Sequence, residues 1–175
     1  MMRILGIVAT LLITVAFFSC KENSFEKQRR NELKTLDEYM RAHYAGATPK
    51  TSGLYFFPQV EGVGDTIKIN DRVEFFYELM TLDSTFSTGS GNYEPESVVV
   101  MPPSQLSSSA QSLTTMRALH EALLHMRSDS EARIIFDSAL GFGQYSSGGI
   151  PGFSPLIMDI RIYKVYPAQA PEEED

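Results

Sequence analysis

The chain holds few side chains with chemistry of their own. Its one cysteine, Cys20, ends an apolar run, MMRILGIVATLLITVAFFSC, with one basic residue, Arg3, near the start and a small residue, Ser19, before the thiol. That pattern reads as a secretory signal. A lone cysteine at its end reads as the lipid acceptor of a lipoprotein whose mature chain begins at Cys20, and it excludes an internal disulfide. The histidines His43, His120 and His125 lack a convincing ligand set, so no metal is expected. There is no convincing Ser-His-Asp set, nucleophile elbow or paired-carboxylate motif. GVGD at 62–65 is too short a glycine pattern, with no helix after it, for a phosphate loop. No cofactor is expected. The formal charge is −7 and no basic stripe is present, which argues against nucleic acid, whose binding rests on Lys and Arg contacts to phosphate.

What remains is aromatic and aliphatic, and the elements that carry it come next. Residues 114–126, TTMRALHEALLHM, place Met116, Leu119, Leu123 and Met126 at steps of three and four, the stripe of an amphipathic helix. Residues 131–137, EARIIFD, alternate Ala132, Ile134 and Phe136 against Arg133, Ile135 and Asp137. A glycine-broken turn, SALGFGQYSSGGIPG, leads to a last strand, SPLIMDIRIYKV. There Leu156, Met158, Ile160 and Ile162 alternate with Ile157, Asp159, Arg161 and Tyr163. Each strand has one face more apolar than the other, as in a sheet with a helix packed on one side.

Upstream, residues 23–45 read as a helix with Phe25, Leu33, Leu36, Tyr39, Met40 and Tyr44 near one face. Both a stalk and a helix docked on the domain fit that pattern. LYFFPQV at 54–60 reads as a strand, and Pro58 places it at an edge. Residues 66–79 carry two stretches of alternation around Asn70-Asp71, with Val73, Phe75, Tyr77 and Leu79 on one face. Residues 84–92 read as a flexible polar stretch and 97–101 as a short strand. The Ser/Pro-rich loop 102–112 reads as solvated slack in preference to a pocket rim. The acidic end, APEEED, reads as disordered.

In order and spacing, the helix, strand, aromatic-glycine turn, Ile-Pro and closing strand resemble the C-terminal part of FKBP-type peptidyl-prolyl isomerases. GFG at Gly141 to Gly143 stands where that family usually has Ala-Tyr-Gly, IPG at Ile150 to Gly152 resembles its Ile-Pro-Pro, and PLIMDIRI resembles its closing strand. GDTIKINDRVEFFYELMTLDSTFSTG resembles the family's segment from a Gly-Asp turn, through a strand ending in Tyr, to a Phe in the next turn. The resemblance implies an α+β, FKBP-like fold over 51–166, a bent antiparallel sheet wrapped on one short helix. A signal peptide (1–19) and a lipid anchor, N-terminal helix and linker (20–50) would precede it, and an acidic tail (167–175) would follow.

It also implies a pocket for a proline ring. Its walls would be Tyr77, Phe86, Phe142, Ile150 and Met158, and its floor Leu119, where the family commonly has Trp. The backbone N–H of Met116 would hold the substrate carbonyl. Three positions depart from the family: Ser87 replaces an Asp, Phe142 a Tyr hydroxyl, and Met158 an aromatic.

Such a pocket is chemically sufficient. An X-Pro bond rotates over a barrier of ~18–20 kcal/mol set by amide resonance. Lowering it requires no nucleophile, metal or base, only a dry wall that disfavours the planar, more dipolar amide and hydrogen bonds that hold the twisted form. A lost charge-assisted hydrogen bond is worth ~1.5–3 kcal/mol, one to two decades in rate if felt fully in the transition state. The implied function is therefore rotamase activity on X-Pro bonds of exported or envelope proteins. The alternatives are a non-catalytic binding or chaperone lipoprotein with a degenerate pocket, and a structural lipoprotein whose sheet binds a neighbour. The expected setting is a bacterial cell envelope, with a monomeric domain lipid-anchored to the outer membrane and proline-bearing polypeptide as its partner.

Overall fold

The structure, a computed structural model, describes residues 24–91 and 94–169. The expected signal peptide, Cys20 and residues 170–175 of the acidic tail lie outside the described residues.

The first element is the helix α1, Ser24–His43. Its sequence holds no Gly or Pro, and exposed i,i+4 pairs support it: Lys34–Glu38 at 3.7 Å and Asp37–Arg41 at 2.9 Å. The strands are β1 Tyr55–Val60, β2 Arg72–Thr81, β3 Ser87–Gly89, β4 Glu96–Val99, β5 Glu131–Phe136 and β6 Leu156–Tyr166. A short helix, α2 Arg117–Leu123, lies between β4 and β5. All strand pairs are antiparallel, in the order β1-β5-β6-β2-β3, with β4 also pairing with β2. The fold class is α+β. Pro58 lies in β1, an edge strand that among the described residues pairs with β5 alone, with the register broken just after Pro58.

The main core lies between α2 and one face of the sheet. Val73, Phe75, Leu79, Ile134, Phe136, Met158 and Ile160 meet Ala118, Leu119, Ala122 and Leu123 there. The opposite face is covered in part as well. Leu36 and Met40 of α1 bury Ile135 and Ile157, with Tyr39, Tyr44, Phe57 and Met80 around them. Two isoleucines on the otherwise polar sides of β5 and β6 thus find their partner, and α1 is docked on the domain. Arg133 and Asp159, opposite each other on that face, form a two-pronged ion pair with both contacts at 2.7 Å.

Four expectations need correction. The helix over 114–126 is broken: a 3-10 turn, Leu113–Thr115, ends at Met116, which is extended (φ −78°, ψ 124°), and only seven residues follow as α2. Ser112 and Thr115 bond to each other's side chain and backbone, giving this stretch local partners that compete with a longer helix. Of the two alternating stretches in 66–79, only the second is a strand. Before it, Asn70 takes a left-handed φ of 72° and the Asp71 carboxylate accepts the Lys68 N–H, closing a turn. The polar stretch 84–92 contains β3, paired with β2 from Glu78 to Met80. The loop 102–112 is tied down at its far end. Ala110 N–H donates to the Gly141 carbonyl at 2.9 Å, and Ser109 Oγ donates to the Phe142 carbonyl at 3.0 Å.

Candidate functional site

The seven residues implied as a proline site come from six different parts of the chain; five lie in the main core and two, Tyr77 and Phe86, pack against it. Tyr77 stands on β2 and Met158 on β6, offset by two positions in the register, since Tyr77 opposes Ile160 and Leu79 opposes Met158. Leu119 comes from α2, Met116 from its cap, and Phe142 and Ile150 from the long turn between β5 and β6. Met116, Leu119 and Met158 are fully buried, and Ile150 and Phe142 are 2% and 8% exposed. Tyr77 and Phe86 are half-buried and pack against them. Burial pushes the Tyr77 phenol up from its ordinary pKa, and the Glu96 carboxylate adds to the rise.

Phe86 is held by a closed turn. Its carbonyl accepts the Thr81 N–H at 3.1 Å, and its N–H donates to Thr81 Oγ1 at 3.2 Å. At the tip, the hydroxyls of Thr81 and Thr85 donate to Asp83 and hold its carboxyl below the usual range. The Phe86 ring lies on Gly149. A Cβ built there would stand 3.1 Å from the ring, and the backbone is left-handed at φ +92°. Glycine therefore suits this approach better than any residue with a Cβ.

Two polar features differ from the implied pocket. The Met116 N–H, expected to hold a substrate carbonyl, donates to the Leu113 carbonyl at 3.0 Å. It is the closing bond of the 3-10 turn. Ser87 donates to Glu78 at 2.9 Å. Glu78 shares its strand face with Phe76 and Met80, so the hydroxyl serves the far side of the sheet and not the cluster.

The supports of the site were not singled out in the sequence. His120 is fully buried in α2. Its Nδ1 accepts the Met101 N–H at 3.0 Å and its Nε2–H donates to the Thr114 carbonyl at 2.8 Å, which binds α2 to the segments on either side. Burial pushes its pKa down, and the bond to Thr114 opposes that only in part. Glu32 is buried on α1 at steps of four from Leu36 and Met40. A carboxylate inside an apolar stripe was the available signal for a buried partner.

Open grooves flank the cluster. One of about 490 Å³ lies between the loop end and the turn, lined by Ser109, Gln111, Phe142, Tyr145 and Ser146. Another, of about 520 Å³, lies on the opposite sheet face over Phe76, Glu78, Glu131, Asp159 and Arg161. Tyr77 also lines the larger groove, whereas Met116, Leu119, Phe142, Ile150 and Met158 do not. Among the described residues no group of three or more His, Cys, Asp or Glu is placed to hold a metal ion, and no helix is long and apolar enough to cross a membrane.

No family model matches the chain, and no curated protein sequence matches it. Solved structures similar in fold include these two. One is a peptidyl-prolyl cis-trans isomerase from Pseudomonas syringae pv. tomato, with a TM-score of 0.60, 18% identity, and coverage of 85% of this chain and 100% of that one. The other is FkpA from Escherichia coli, with a TM-score of 0.62, 22% identity, and coverage of 93% and 73%. The antiparallel sheet around one short helix is thus the FKBP-type peptidyl-prolyl isomerase fold.

Proposed function

We propose that this FKBP-like domain is a peptidyl-prolyl isomerase of reduced efficiency, with Tyr77, Phe86, Met116, Leu119, Phe142, Ile150 and Met158 as its proline site. The observation that carries the reading is that five of the seven belong to the main core while Tyr77 and Phe86 pack at its half-exposed edge, in a fold shared with a solved peptidyl-prolyl isomerase. A proline ring would enter at the exposed edge formed by Tyr77 and Phe86. The apolar wall would disfavour the planar amide, and rotation would need no group that titrates. The rate would be lowered because Phe142 has no hydroxyl and Ser87 is engaged elsewhere. The substrates would be X-Pro segments of exported or envelope proteins, reached by a chain anchored to the outer membrane through lipid on Cys20.

A second reading has its own observation. The Met116 N–H is already bonded to Leu113, and Leu119 and Met158 are sealed. These weigh against a deep proline pocket, and a non-catalytic module would bind proline-bearing segments only at the same edge. Cis–trans exchange of an X-Pro peptide, followed by exchange NMR with the mature chain added, separates the two. Acceleration that Phe86→Ala removes, with the fold intact by circular dichroism, supports the isomerase. No acceleration across several residues before proline sinks it and leaves the binder.

A further inference from the structure

We infer that α1 is a working part of the site: it holds both ends of the 138–153 segment, which carries Phe142 and Ile150, with Glu32 as the positioning residue at one end and Phe25 at the other. The inference deepens the reading of the cluster as a proline site and rests on it for its functional meaning.

At the first end, one Glu32 oxygen accepts the Ser138 backbone N–H, and the other accepts Ser138 Oγ at 2.9 Å. Arg29 bridges Glu32 and Asp137, with both contacts at 2.6 Å. Asp137 in turn accepts the Ala139 N–H at 2.9 Å, capping the 3-10 turn Ser138–Leu140. The Ser138 carbonyl then accepts two amides, Gly141 N–H at 2.9 Å and Gly143 N–H at 2.8 Å. Phe142 lies between those two amides, so its place is set from Ser138, and Ser138 is set from Glu32.

At the second end, the Gly143 carbonyl accepts the Phe153 N–H at 2.9 Å. Phe153 has a left-handed backbone, φ 58°, which a bulky residue adopts only when its surroundings hold it there. Its ring meets Phe25 of α1 edge-on, with centroids 4.8 Å apart. The path therefore leaves α1 at Glu32, runs through Ser138, Gly143 and Phe153, and returns to α1 at Phe25.

Docking alone does not explain Glu32. Leu36 and Met40 already bury an apolar patch, and well-packed hydrophobic residues often serve stability as well as a buried ion pair does. What the carboxylate adds is a fixed acceptor for one backbone amide. The wall of the site made by Phe142 and Ile150 thus depends on α1 being docked, and undocking α1 would loosen it.

The test is amide hydrogen exchange, read by NMR on the whole mature chain. In Glu32→Ala, exchange at Gly141 and Gly143 should quicken by about tenfold or more, while Ile134 and Ile160 in the sheet stay near wild type. Glu32→Gln keeps an oxygen for the Ser138 N–H and should retain most of the protection. Phe25→Ala should quicken exchange at Phe153. Unchanged glycines in Glu32→Ala, equal quickening at Ile134 and Ile160, or equal loss in the Gln and Ala variants would each overturn the assignment. If the wild type accelerates X-Pro exchange, Glu32→Ala should lower kcat/KM; unchanged kcat/KM would overturn the functional part. If the wild type is inactive, the isomerase reading fails by itself, and the amide data still decide whether α1 holds the loop.

Discussion

The contact between Gly149 and Phe86 gives a prediction in which strain and steric clash can be separated. Gly149→Ala puts a Cβ 3.1 Å from the Phe86 ring and places an L-residue at φ +92°. The left-handed backbone costs roughly 1–2 kcal/mol for a residue with a Cβ. The clash requires the ring to yield by a few tenths of an ångström. Phe86 is half-buried and can pivot, so this part should add about 0.5–1 kcal/mol. The total, about 1.5–3 kcal/mol, is a drop in melting temperature of roughly 3–12 °C for a chain of this size. Urea unfolding of wild type, Gly149→Ala, Phe86→Ala and the double variant isolates the clash, because the backbone strain persists when the ring is gone. Gly149→Ala should cost about 0.5–1 kcal/mol less in the Phe86→Ala background. Gly148→Ala is a useful companion, since its φ is +57° and nothing lies within 4 Å of the added carbon. Coupling below about 0.3 kcal/mol in the double-mutant cycle would refute the argument that Gly149 suits the ring better than a residue with a Cβ.

Leu119→Ala empties a fully buried position at the centre of the cluster and should cost about 2–5 kcal/mol in urea unfolding; a loss under about 1 kcal/mol would mean the surrounding side chains close the space. The folded-state pKa of His120 is pushed below its ordinary value, so its contribution is present at neutral pH. It should fade as pH drops below about 6.5, where the unfolded chain takes up the proton first. Urea midpoints across that range should fall less steeply in His120→Gln, and an identical slope would argue against the residue. Arg133→Lys keeps the charge but loses the two-pronged grip on Asp159. With both side chains about a third exposed, the loss should be about 1 kcal/mol or less by thermal unfolding, and a larger one would mean that the hydrogen bond Arg133 also donates to the Tyr44 hydroxyl, at 3.4 Å, matters more than the ion pair.

Much of the sheet was legible because side-chain alternation follows from covalent spacing. Ala132, Ile134 and Phe136 share a face wherever that strand is placed, and so do Met158, Ile160 and Ile162. Pro58 marked an edge because it lacks a donor, and Leu119 with Leu123 marked the buried stripe of α2. The same periodicity misled at 114–126. Spacing does not register that Met116 is extended, at the end of a turn that its own N–H closes onto Leu113 and that hydroxyl bonds between Ser112 and Thr115 reinforce.

The sequence by itself therefore determined which residues are apolar on which side of each element, while the α+β class and the members of the candidate site came from its resemblance to the FKBP-type family. Tertiary structure alone decided whether α1 is a stalk or a cover, since only the docked arrangement brings Leu36 against Ile135 and Ile157. It also decided what becomes of the polar groups at the site. Ser109 meets Phe142 across 33 positions and Glu32 meets Ser138 across 106. No local pattern encodes such pairs, because a buried donor or acceptor must be satisfied by whatever partner the completed fold brings within reach.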